Sequence, residues 1–257
     1  MDPEAGWLKL VSAGIIPVLL ELFDSLDTDV QYYGVSILAS VTRSGKSVPL
    51  PSSDSLRYPV LDVYRQQLAK GEPRLVEILV QYMDSSSPKV QSEAARTLRN
   101  LTSSSEYQLS MFRISCSRPT TAYPSFKLEI VKAGGLNPLL RLLQSPHPDS
   151  IDAAVSLVLD LTDRATHRSL VIKAGFLQPL VKLLSFKGHE NVHLCAAQIL
   201  SKLAASPENR RDIFNAGAVQ SIKELVLEVP VRIQIEMTRC IKYLSKSGMH
   251  SPFHRLP

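Results

Sequence analysis

The sequence predicts an all-α repeat fold, a solenoid of helical modules, and three observations carry that prediction. A segment of the form apolar-x-x-Ala-Gly-apolar returns three times, with Gly134, Gly175 and Gly217 spaced 41 and 42 residues apart. An apolar face at helical spacing follows each glycine: Leu139, Leu140, Leu142 and Leu143 in one copy match Leu180, Val181, Leu183 and Leu184 in the next. A further apolar run then opens on an apolar–polar pair, Ile151-Asp152, Val192-His193 and Ile233-Gln234. A fixed period between about 20 and 50 residues marks stacked units, each one supersecondary element, and outranks local signals.

Each unit reads as a short first helix ending at Ala-Gly, a sharp turn, a second helix and a long third helix. Glycine suits the turn because it tolerates positive φ. Three helices within 41 or 42 residues make an armadillo-type repeat. In chain order, Asp2-Pro3-Glu4 is a helix start with an N-cap, proline at the first helical position and an early acid. That helix ends at Ala13-Gly14. Pro17 to Phe23 forms a second helix, and Val30-Gln31 opens a third that runs to about Val41. The second unit repeats the second-helix face as Leu75, Val76, Ile78 and Leu79, and its third helix runs from Val90-Gln91 to Leu101 without an Ala-Gly upstream. The expected organisation is one armadillo-type domain over 1–246, with about five repeats at 3–42, 65–105, 106–163, 164–205 and 206–246.

The spacing departs from the period twice. Val30 to Val90 is 60 residues and Val90 to Ile151 is 61, against 41 in the later copies, an excess of about 19 each time. Two segments hold the excess: 43–63, rich in proline and serine, and 110–127, which has two prolines and no helical periodicity. Both are expected to be irregular inserts. Their near-equal length makes retained introns the sharper expectation and surface loops the plainer one, which sequencing the transcript separates. The repeat pattern stops after Ser245, so 247–257 is expected to be a disordered tail, and the chain a fragment of a longer array.

The inserts also account for the charge. Residues 43–63 carry Arg43, Lys46 and Arg57 against Asp54 and Asp62, and 110–127 carry Arg113, Arg118 and Lys127 with no acid, so together they supply +4 of the net +5. The repeats are near neutral, which removes the basis for a nucleic-acid partner. The apolar share of 44% supports a packed core, while no run of about 18 apolar residues could span a membrane. No secretory leader is apparent at the N-terminus. Cys116, Cys195 and Cys240 form no disulfide framework, and the latter two fall among apolar third-helix residues as core fillers.

One motif invites a catalytic reading. His189-Glu190-Asn191-Val192-His193 matches the zinc-protease pattern H-E-x-x-H. The repeat register argues against it, because Val192-His193 fills the slot of Val30-Gln31, Val90-Gln91, Ile151-Asp152 and Ile233-Gln234. His193 is therefore expected at a generic surface position at a helix entry. The serine runs Ser85–Ser87 and Ser103–Ser105 read as inter-helix turns, and His147, His167, His250 and His254 fall in turns or the tail. No glycine-rich phosphate loop occurs. No catalytic residue, metal site or cofactor is expected, and the chain is not expected to be an enzyme.

What remains is surface. Stacked third helices line a groove, the usual binding face of repeat proteins. Residues one turn before the helix end read Ser40, Asn100, Asp160, Lys202 and Tyr243, and a turn earlier stand Ser36, Arg96, Ser156, Gln198 and Arg239, with Arg99 beside Asn100. The expected partner-binding set is Arg96, Arg99, Asn100, Ser156, Asp160, Gln198, Lys202, Arg239 and Tyr243. Asparagine can bracket the backbone of an extended peptide, and arginine can fork a carboxylate.

The run from Glu72 to Val76, the helix Val90-Gln91 to Leu101, the pieces Tyr107-Gln-Leu109 and Glu129-Ile-Val-Lys-Ala-Gly-Gly-Leu136, Ala174 to Leu184 and Asp29-Val-Gln-Tyr-Tyr33 together resemble the fungal vacuolar armadillo-repeat family, the vacuolar protein 8 family. The resemblance covers nearly everything outside the inserts and tail. It implies a non-catalytic adaptor on the cytosolic face of the vacuole, holding extended partner segments for vacuole inheritance, vacuole fusion, nucleus–vacuole contacts and selective autophagy. Only Arg99-Asn100 keeps the family's Arg-Asn third-helix ending. The family's lipid anchor needs Gly at position 2 and nearby cysteines, whereas Asp2-Pro3 follow Met1 here, so the fragment itself is expected to be cytoplasmic. The competing reading is a nuclear-import-type cargo receptor, which needs a ladder of groove tryptophans. The only tryptophan is Trp7, in a first helix.

Overall fold

The structure, a computed structural model, describes residues 13–43, 74–115, 126–186 and 189–246, with backbone alone for Ile16 and 103–115. Trp7, the first-helix start at Asp2, most of the first insert, Cys116 and 247–257 lie outside the described residues. The fold is all-α, of the armadillo-type solenoid class, and among the described residues there is no strand. No helix is long and apolar enough to cross a membrane among those residues.

The chain packs as two compact units, Met1–Asp160 and Leu161–Pro257. The first holds α1 (Ile15–Leu22), α2 (Thr28–Arg43), α3 (Arg74–Tyr82), α4 (Pro88–Ser115), α5 (Phe126–Lys132), α6 (Leu136–Leu142) and nearly all of α7 (Pro148–Leu161). Here α2 packs along α4, and α3 against both α4 and α5. The second holds α8 (Ala165–Lys173), α9 (Leu177–Leu183), α10 (Glu190–Ala205), a 3-10 turn at Pro207–Asn209, α11 (Arg210–Asn215), α12 (Ala218–Leu225) and α13 (Val231–Ser245). Its main packing runs between the third helices α10 and α13.

The glycine hinges stand where the period places them. Gly14, Gly134, Gly175 and Gly217 all have φ between 79° and 89°, left-handed backbone that costs a side-chain-bearing residue about 1–2 kcal/mol. At two of them the exit closes as a Schellman motif: Gly135 N donates to Ile130 O at 2.9 Å, and Phe176 N to Val171 O at 3.3 Å. Gly135, whose own φ is ordinary, is glycine for a steric reason: a Cβ there would sit 2.7 Å from Ile130 Cγ2 and 2.9 Å from Ile130 O. The apolar faces that follow are buried, with Leu139, Leu142 and Leu143 in one copy and all four of Leu180, Val181, Leu183 and Leu184 in the next. Cys195 and Cys240 are buried thiols, and burial pushes Cys240 up to about 12, as a core filler requires.

The third helices begin about two residues earlier than the apolar pairs suggest. At α2 the cause is Asp27, whose Oδ1 accepts from Asp29 N at 2.8 Å and Val30 N at 3.1 Å as an N-cap. A turn of one kind precedes α2, α4 and α7 in the first unit. Ser25, Ser85 and Ser145 each accept at Oγ, 3.2 Å from the amides of Asp27, Ser87 and His147.

The expectation that the third helix ends near Leu101 is corrected. α4 runs unbroken to Ser115, straight through Ser103–Ser105 and into the start of the segment expected to be irregular. No glycine or proline stands between Leu101 and Ser115, and serine costs only a few tenths of a kcal/mol per residue in a helix, so nothing stops propagation. The other end of that segment shifts too, since Phe126 and Lys127 are buried in α5. His167 is likewise not in a turn but buried in α8.

One contact ties two repeats of the first unit. Tyr82 Oη donates to Phe23 O at 2.6 Å, its ring edge-on to Phe23 at 5.7 Å. Burial, with Asp24 adding to it, pushes the phenol up to about 12, so it stays a donor. Tyr82→Phe keeps the ring and is expected to cost about 1 kcal/mol, read as a lower urea midpoint at unchanged slope.

Candidate functional site

The apolar–polar pair that opens each third helix does more than mark the register. At α2, α4 and α13 its polar member reaches back across the turn: Gln31 Nε2 donates to Ser25 O at 2.8 Å, Gln91 Nε2 to Ser85 O at 2.7 Å and Gln234 Nε2 to Val229 O at 2.9 Å. In α10 the same place is taken by His193, whose Nε2 bonds the carbonyl of Phe186. His193 is therefore half-buried and engaged, which corrects its reading as a generic surface position. The H-E-x-x-H residues point to separate tasks. His189 precedes the helix with its ring 5.7 Å from Phe186, and Glu190 accepts from Arg232 Nε at 2.6 Å. Among the described residues no group of three or more His, Cys, Asp or Glu is placed to hold a metal ion.

The expected binding row divides on burial. In the first unit Asn100 is 8% exposed and Ser156 is 1% exposed, so neither presents a side chain to a groove. Asn100 Nδ2 instead donates to Ala39 O at 3.1 Å and lies 3.4 Å from Thr42 Oγ1, both at the end of α2. It stitches one third helix to the one before it. Asp160 does similar work, accepting from Thr102 Oγ1 at 3.2 Å with Arg99 Nε at 3.9 Å. Arg96 remains partly open: Nη1 donates to Glu93 Oε1 at 2.8 Å, while Nη2 lies 3.9 Å from Asp149 Oδ1 on α7.

The second unit places its row members closer to solvent. Gln198 is half-buried, and Lys202 pairs with the carboxylate of Asp163. Arg239 Nη1 bonds Glu236 Oε1 at 2.8 Å and Oε2 at 2.9 Å. Lys246 Nζ lies 5.9 Å from the centre of the Tyr243 ring.

Two sets of working residues were not picked out by sequence reasoning. Glu93 and Glu236 stand three residues before Arg96 and Arg239, in the matching runs Val90-Gln-Ser-Glu-Ala-Ala-Arg96 and Ile233-Gln-Ile-Glu-Met-Thr-Arg239. Arg168 and Arg210 stand seven residues before Gly175 and Gly217, where the earlier copy has Lys127 before Gly134. Arg168 Nε donates to Thr162 O at 2.9 Å, and Arg210 Nε to Ala204 O at 2.9 Å, each covering carbonyls that end the preceding third helix. A search for cations at constant distance from the glycines would have found them.

Comparison with known proteins matches this geometry. A family model for the armadillo/beta-catenin-like repeat covers residues 71–103 and 124–162. Vacuolar protein 8 of Schizosaccharomyces pombe is 40% identical over 186 residues, 72% of this chain and 30% of that protein. Vacuolar protein 8 of Candida albicans is 39% identical over 180 residues, 70% of this chain and 28% of that protein. The chain thus spans about 30% of the length of the curated relatives it matches. Among solved structures, a designed armadillo repeat protein in complex with the peptide (KR)4 superposes with a TM-score of 0.71 at 21% identity, covering 93% of this chain and 85% of that one.

Proposed function

The chain belongs to the armadillo-repeat proteins and is related to fungal vacuolar protein 8, and from that premise we propose a non-catalytic scaffold that holds extended segments of other proteins against its third helices. In the first unit Arg96 and Arg99, with Asp160 at the edge, contact the partner. In the second unit Gln198, Lys202, Arg239 and Tyr243 do so. Its place is the cytosolic face of the vacuole, and its work lies among vacuole inheritance, vacuole fusion, nucleus–vacuole contacts and selective autophagy. The observation that carries the reading is the ion-paired arginine at one register in both units, Arg96 and Arg239, each on a solvent-reaching third-helix face. An arginine fork on such a face suits the carboxylates of an extended segment.

The test is binding of a labelled alternating Glu-Asp peptide to the full chain by fluorescence anisotropy. Arg96→Glu is expected to weaken binding about tenfold or more while the helical circular dichroism holds, because like charges across an interface repel. Unchanged binding would remove Arg96 from the contact surface.

A further inference from the structure

We infer that the two carboxylates around Arg96 have opposite roles in partner capture: Glu93 is a positioning residue that fixes the guanidinium, and Asp149 is a stand-in that an incoming carboxylate displaces. The inference rests on the proposed function and names how that surface selects an acidic segment. Two carboxylates meet one guanidinium, but on different terms. Glu93 is 13% exposed and bonds Nη1 at 2.8 Å, a charge-assisted bond from a sheltered group on the same helix. Releasing Arg96 would leave that sheltered carboxylate without its short bond, so Glu93 holds on. Asp149 is 83% exposed, sits on the first turn of α7, and stands 3.9 Å from Nη2, too far for a hydrogen bond. It neutralises the open edge of the guanidinium without occupying it. A partner carboxylate can close to hydrogen-bonding distance on that edge, and Asp149 then returns to water at little cost, since exposed pairs are worth about 0–1 kcal/mol.

The second unit repeats the positioning half of this device by itself. Glu236, three residues before Arg239 and also 13% exposed, takes one nitrogen of its arginine with both oxygens. The same sheltered acid in the same register argues that the pair is built, because a chance surface contact would not recur at one position of the repeat.

Bulk electrostatics and this proposal agree at Asp149 and disagree in sign at Glu93. If charge alone mattered, removing either acid would strengthen binding of an acidic peptide. The proposal expects Asp149→Asn to tighten the alternating Glu-Asp peptide about two- to fivefold, by removing a competitor from an exposed pair. Glu93→Gln is expected to weaken it about tenfold, by freeing the guanidinium to rotate. Asp149→Asn in an Arg96→Gln background should change nothing. Tightening by both single variants, or no change in either, overturns the proposal while leaving the proposed surface standing. If Arg96→Glu also leaves the peptide bound as before, the surface itself is wrong. Thermal melts accompany each variant, and if Glu93→Gln fails to fold, Glu236→Gln carries the weakening arm, with unweakened binding counting against the inference.

Discussion

Arg210→Ala is expected to lower the stability of the chain by about 3 kcal/mol, far more than an arginine normally contributes. Most arginines sit on surfaces, but Arg210 is buried at the start of α11 and spends its guanidinium on another helix. Nε donates to Ala204 O at 2.9 Å and Nη2 lies 3.5 Å from Ala205 O, while the neighbouring Asn209 Nδ2 covers Leu203 O at 3.3 Å. These carbonyls close the last turn of α10, where the helix runs out of its own amides; Leu203 O also takes Ser206 N at 3.2 Å, and Arg210 serves Ala204 O and Ala205 O. Truncation strips them of a charged donor in a place water enters poorly, and it removes side-chain volume from the seam. Arg210→Lys is expected to recover only part of the loss, because an ammonium cannot reproduce a planar fork. Exposed Arg211, next in the chain, is the control and should change stability by less than about 0.5 kcal/mol. Urea unfolding of the three variants reads the result, and a loss under about 1 kcal/mol for Arg210→Ala would show the carbonyls to be satisfied otherwise.

What the sequence revealed and what it hid follow one physical division. Gly134, Gly175 and Gly217 were legible because positive φ restricts the residue type at a point, so the requirement is written locally. The apolar faces were legible because burial repeats at the helical period. The H-E-x-x-H match could be set aside because the register put glutamine where His193 stands, but the reason for glutamine lay in a carbonyl across a turn, as with Gln91 and Ser85. Such a bond depends on where the backbone comes back to, and no residue-type preference records it. The same limit explains Asn100. A polar residue on the late third helix reads as solvent-facing until the end of the preceding third helix is placed beside it, 61 residues away in sequence. The continuation of α4 past Ser103 is hidden for the opposite reason: a serine run suggests a turn, although no breaker stands among these residues.

Asn100→Ala is the second large effect, expected at about 2 kcal/mol, and it separates stitching from partner capture. The amide lies almost out of water and reaches Ala39 O at 3.1 Å, so alanine leaves a buried carbonyl short of a donor and a small void between α2 and α4. Thr42 Oγ1 stands 2.9 Å from Leu38 O and 3.1 Å from Ala39 O, so its one proton is shared between the two carbonyls and replaces the lost amide only in part. Stability should therefore fall while the affinity of the folded protein for an acidic peptide stays within about twofold. Arg96→Gln should behave the other way, losing affinity with a smaller fall in the melt, because its side chain reaches solvent and glutamine can still donate to Glu93. A row of polar residues at one helical register thus contains two populations, one facing inward to the neighbouring repeat and one facing out. If Asn100→Ala instead lost affinity with its stability intact, the amide would have to leave Ala39 to meet a partner, and the stitch between α2 and α4 would be a switch that binding opens.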